Sequence, residues 1–224
     1  MASVSNQITA VSVVTVGQFN PAIVHPAWLA AEGLITKPEA EGTAIEVVHP
    51  EFAQFTFSQE GAAMRVQVLR ERLMLTTEDA RLYEGLRDLT MGILTLLRHT
   101  PVTKLGINFD TCIAMDSEDA RNGLGRRLAP AAPWSGILDG AAMLSLSMRT
   151  PRVGGNPGHT VIRVEPSVRL AFGVLIALNE HYDIDALQPD STTGTERVVD
   201  VLKQTWDATS KRAREITSKL TVPA

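Results

Sequence analysis

Three side chains near the end of an apolar segment come closest to a metal-binding set. In His181-Tyr182-Asp183-Ile184-Asp185, alternate residues of an extended strand would place His181, Asp183 and Asp185 on one side, where one imidazole and two carboxylates suit a cation. No fourth ligand accompanies them, and the segment runs from a strand end into a loop, so a solvated strand end is the expectation and metal binding the weaker alternative. A second group, Asp110, Asp116, Glu118 and Asp119, crowds a strand end and a helix start, where paired carboxylates could exchange protons. Favourable placement in the first turn of a helix accounts for Glu118 and Asp119 without chemistry.

The remaining motifs are weaker. Gly123-Leu124-Gly125-Arg126-Arg127 is short and basic but falls inside a helical pattern, so it reads as a loosened or solvated helix end, with anion contact as the sharper reading. Gly154 to Gly158 lacks the strand-to-helix setting and the lysine of a phosphate loop, and reads as a hairpin tip. Ser135 has no elbow pattern around it. Cys112 is the single cysteine, sits in an apolar strand pattern and can form no internal disulfide, which suits inert packing in a reducing compartment. These readings lead to a chain without a catalytic set, metal or other cofactor.

The elements that would carry these residues follow an order that occurs twice. Ile8 to Val16 is a β-branched strand; Pro26 opens a short helix that Gly33 closes. Strands follow over 43–48, 52–57, 64–69 and 73–76, with a turn at Glu60-Gly61. Thr77 then caps a long helix whose apolar stripe is Leu82, Leu86, Leu89, Ile93 and Leu97. After Pro101 the order restarts, with a strand over 102–115 and a short helix capped by Ser117 and running through Leu128. Strands over 143–150, 160–165 and 168–179 follow, the last apolar enough to be covered on both faces. A polar linker over 190–194 leads to a final long helix with Val198, Leu202, Trp206, Thr209, Ala213, Ile216 and Leu220 in register.

The expected fold is therefore α+β: duplicated β-α-β(3-4)-α units, residues 1–100 and 101–224, sharing one curved antiparallel sheet with two long helices packed on it, in a single pseudo-symmetric domain. A duplicated unit of this order resembles the arrangement of the TATA-box-binding protein. The chain is also similar to a sporadically distributed family of functionally uncharacterised bacterial proteins. That resemblance rests on Phe55-Thr56-Phe57-Ser58, on the segment from Arg72 through Leu97, on the run from Pro101 to Phe109 and on the terminal long helix. It implies a cytoplasmic bacterial α+β protein, transfers no catalytic residue, and through its scattered occurrence points to bacterial defence or toxin regulation.

At 224 residues, 44% hydrophobic and 21% charged, the composition is that of a globular chain. A net charge of −4 supplies no overall basic field for nucleic acid or an anionic membrane. The amino-terminal apolar run has no preceding positive charge, and the longest apolar run, Leu170 to Leu178, is too short to span a bilayer. The charge is uneven. Up to Glu60 the only basic residue is Lys37, against Glu32, Glu39, Glu41, Glu46, Glu51 and Glu60; from Lys203 onward basic residues dominate. Lys211, Arg212 and Arg214 are thus the candidate contact for an acidic protein partner or a second copy of the chain. A non-enzymatic interaction or assembly protein is the leading expectation. The alternatives are a small-molecule binder with a cavity between sheet and long helices lined by Trp134 and Trp206, and an enzyme using the carboxylates near Asp110.

Overall fold

The computed structural model describes residues 9–152, 156–187 and 194–221. Its frame is a nine-stranded, curved antiparallel sheet in the order β2-β3-β4-β5-β1-β6-β9-β8-β7. These are β1 (Ala10–Gly17), β2 (Ala44–His49), β3 (Phe52–Gln59), β4 (Ala62–Leu69), β5 (Arg72–Thr77), β6 (Val102–Ala114), β7 (Leu146–Pro151), β8 (Gly158–Pro166) and β9 (Gly173–Asp183). The helices are α1 (Pro26–Ala31), α2 (Lys37–Glu41), α3 (Tyr83–Leu96), α4 (Glu118–Leu128), α5 (Ile184–Leu187) and α6 (Thr195–Thr221).

The centre of the sheet is the β1–β6 pair, in which Val13 faces Ile107 and Val11 faces Phe109. Outward from β1 come β5, β4, β3 and β2; outward from β6 come β9, β8 and β7. On each side the last strand in sequence lies next to the first, and a long helix follows it. β2 to β5 are joined by two-residue hairpin turns. At Glu60-Gly61 both residues have positive φ, 52° and 77°, the geometry whose twist matches a two-residue hairpin and which glycine adopts without cost.

Strict alternation fixes which face is covered. Along β1, β4, β5 and β9 buried residues alternate with half-buried or exposed ones. Val11, Val13, Phe55, Phe57, Met64, Val66, Leu75, Ile107, Phe109 and Leu178 all point to one side, where they meet Leu86, Ile93 and Leu94 of α3 and Val198, Leu202 and Trp206 of α6 in one buried cluster drawn from both halves of the chain. A smaller cluster, Ile113, Leu124, Val164, Val174 and Ile176, seats α4 on the same side. No helix of the described residues is long and apolar enough to cross a membrane.

Several boundaries differ from the sequence reading, each for a local reason. Thr77 does not cap the long helix: it is the last residue of β5, paired with both Val11 and Met64, and its hydroxyl donates to the Ala63 carbonyl. Asp79 instead caps a single 3-10 turn over Ala80–Leu82, from which α3 continues. The segment Val168–Phe172 is not strand. It forms the exposed turn between β8 and β9, closed by the Ser167 and Gly173 amides and with Phe172 at φ 54°. β9 itself is buried on one face only. α2 escaped the reading, although Thr36 and Glu39 form a reciprocal capping box there. Of the proposed linker over 190–194 only Gly194 is described; of the hairpin tip over 154–158 residues 154 and 155 lie outside the described residues, while Gly158 opens β8, which pairs with β7.

Candidate interaction face

With every helical contact on one side, the other face of the sheet carries the residues of opposite parity. Its middle row runs Thr56, Arg65, Thr76, Ser12, Asn108, Asn179, Val161 and Arg149, each directly opposite the next across the strands. Asn179 Nδ2 donates to Asn108 Oδ1 at 2.5 Å and Asn108 Nδ2 to Ser12 Oγ at 3.0 Å, a polar ladder over the three central strands. On the neighbouring row Gln67 donates to Gln54 at 2.8 Å and receives Arg72 at 3.3 Å. The amides and hydroxyls at the centre of this row bond to one another, while Val161 within it and Val14, Met74 and Ala177 beside it add apolar area.

The charge of this face differs in sign from that of the whole chain. Arg65, Arg72, Lys104, Arg149 and Arg163 stand on it against Asp110, Asp183 and Glu165, whereas the chain carries −4. At one rim Arg169 joins Glu78 at 2.6 Å, a pair that ties the β8–β9 turn to the end of β5 and holds the Glu78 carboxyl below its usual range. Asp110 lies near this rim. Burial raises its pKa, and Arg163 and Arg169 oppose the rise.

At the other end the rings of His159 and His181 stack with centroids 4.5 Å apart. His181 Nε2 lies 3.2 Å from Asp183 Oδ1, and Arg149 Nη2 lies 3.3 Å from His159 Nδ1. Burial, then the neighbouring His181 and Arg149, lower the His159 pKa from 6.5. A histidine whose folded pKa is depressed favours the native state above its unfolded value and loses that advantage as pH falls through the folded one. Thermal melts from pH 7 down to pH 5 should therefore show a stability loss that is reduced in His159→Phe. An unchanged slope would show that the stack carries no proton linkage.

The sequence-derived candidates are distributed as follows. His181 and Asp183 do share the uncovered face, but Asp185 does not continue the alternation, because the chain turns into α5 at Ile184. Among the described residues no three His, Cys, Asp or Glu side chains are grouped to hold a metal ion. His159, the actual neighbour of His181, comes from a different strand and leaves no signal in local spacing. Asp110 stands on β6, whereas Glu118 and Asp119 occupy the first turn of α4 behind the Ser117 cap, with Glu118 bound by Arg121 at 2.8 Å. Trp206 is buried against Phe109 at 5.9 Å and donates to Glu84 Oε1 at 3.2 Å, while Trp134 lies half exposed in a 3-10 turn, so the two tryptophans occupy different surroundings.

The basic trio of α6 divides in two. Lys211 and Arg214 are exposed, Lys211 lying 3.9 Å from Glu215. Arg212 instead reaches Glu180 at 3.0 Å. Glu180 is 1% exposed and also takes Arg152 and the Thr160 hydroxyl, at 2.9 Å for the latter. The Arg152 guanidinium lies 3.7 Å from the centre of the Tyr182 ring, and the Tyr182 hydroxyl meets Thr205 of α6 at 2.9 Å. Arg212 is thus a clamp between α6 and β9. Reversing its charge would disturb the fold and would not report on association alone.

No protein-family model matches the chain, and comparison with curated proteins finds no match.

Proposed function

We propose that this chain is a non-enzymatic interaction or assembly protein, a duplicated β-α-β-α body whose uncovered sheet face receives an acidic segment of a partner protein. The observation that carries the reading is the one-sided placement of the helices, which leaves a wide face of the curved sheet, mixed polar and apolar, with a basic excess on a net acidic chain. The order of strands outward from the β1–β6 pair supports duplication, since each half contributes its first strand to the centre and its long helix to the back. A rigid sheet suits binding without chemistry, because its backbone groups are already paired and partner capture costs little ordering.

Arg65, Arg149 and Arg163 are exposed, so changing them together to Glu should leave the melting temperature near that of the parent. The same change should slow capture of the native acidic partner, isolated from the source cell, by about tenfold or more at low salt, with a smaller difference at high salt. Stopped-flow association at two ionic strengths checks this. Equal rates for parent and variant would remove the face from the reading, and light scattering that shows a salt-sensitive dimer would assign its occupant as a second copy.

A further inference from the structure

The basic glycine motif of α4 acquires a setting in the fold that the interaction face does not use. Gly125 and Arg126 line a cleft of about 350 Å³ between α4, the loop at Ala142 and Met143, and the ends of β8 and β9. Its apolar wall is Leu124, Met143 and Val174. Gly125 stands against this wall: a Cβ there would make ordinary contact with Met143 Cβ at 3.6 Å, so a side chain extending past it would press on the cleft lining. Glycine weakens a helix interior, yet α4 carries two in eleven residues. At Gly123 the vacancy is overlain by the Arg126 guanidinium, whose Nη2 lies 3.9 Å from where a Cβ would stand.

The charges around the cleft are unequal in how they are used. Arg121 is held by Glu118 and Asn122, and Glu165 is engaged by Arg163 at 3.6 Å. Among the described residues no carboxylate pairs with Arg126. Arg126 lines a cleft with both polar and apolar walls, and its planar guanidinium matches a carboxylate or similar anion in two-pronged contact, with the tail of the ligand on Leu124, Met143 and Val174. The volume lies at the low end of small-molecule sites, which limits the tail to a short one.

We propose that this cleft binds a small amphiphilic monoanion, a carboxylate with a short apolar tail, with Arg126 holding the anion. The test uses the full chain and anilinonaphthalene sulfonate, an anionic dye that fluoresces in apolar surroundings. The dye should bind saturably at one site, and octanoate should displace it at a concentration about tenfold lower than octanol. Arg126→Gln should weaken dye and octanoate about tenfold while leaving the neutral N-phenylnaphthylamine unaffected. Gly125→Leu should abolish binding of all three without lowering the melting temperature. Should Gly125→Leu melt early, the Arg126→Gln contrast between charged and neutral dyes decides alone. Non-saturable dye binding, or equal affinity in parent and Arg126→Gln, overturns the proposal.

Discussion

Leu86→Asp and Leu202→Asp should each abolish cooperative folding. Both leucines are 0% exposed, one on α3 and one on α6, in the cluster that seats the two long helices on the sheet. Each change forfeits about 1.5–3 kcal/mol of apolar burial. It also places a carboxylate among Val11, Val13, Ile107 and their neighbours with no cation to meet it, a penalty of several kcal/mol. Together these approach the whole stability of a domain, about 5–15 kcal/mol. Circular dichroism melts would show no cooperative transition. A soluble variant that melts cooperatively within a few degrees of the parent would mean that these helices do not bury the stripe described.

Glu180→Ala should cost about 3–5 kcal/mol, far more than a surface carboxylate. Glu180 is the shared acceptor for Arg152, Arg212 and Thr160, and removing it leaves the Arg152 guanidinium, 7% exposed, without a counterion against Tyr182. Urea unfolding would show the midpoint shift. Replacing the most buried ion pair, Glu180→Leu with Arg152→Met, should recover part of the loss, because these two apolar side chains need no counterion while Arg212 and Thr160 still lose their acceptor. Lys211→Ala serves as the comparison and should stay within about 0.5 kcal/mol. If Glu180→Ala unfolds with the parent midpoint, the network is solvated and does not clamp α6.

The difference between these two predictions reflects how much each rests on sequence. Leu86 and Leu202 were visible as members of helical stripes, since the spacing of apolar residues alone requires a buried face. The β-branched run ending at Val16, the Glu60-Gly61 turn, the Pro26 start and the Ser117 cap were legible for the same reason: each is a local preference that the tertiary structure did not override. Glu180 was not visible. It sits in an apolar strand, and its cations arrive from residues 28 and 32 positions away, so nothing in local sequence marks it as a buried acceptor.

The uncovered face was illegible for a related reason. Alternation puts Asn108 on the polar side of its strand, but Asn179 ends a run read as covered on both faces, and only the register across β1, β6 and β9 lines Ser12, Asn108 and Asn179 into a ladder. Register likewise sets His159 opposite His181. The metal reading of His181, Asp183 and Asp185 assumed that the strand continued past Asp183, and the turn into α5 ends it. Net charge was equally uninformative, because the acidic total conceals a face with the opposite excess.

Site-specific photo-crosslinking in the source cell tests the central claim most directly. A photoreactive amino acid would be placed at Thr76 or Arg149 on the uncovered face, and at Lys203 or Lys211 on the outer side of α6. Adducts of one defined mass that form from Thr76 and Arg149, fade with salt and are missing from Lys203 and Lys211 are the predicted result. Adducts that form from α6 and not from the sheet face would contradict the account.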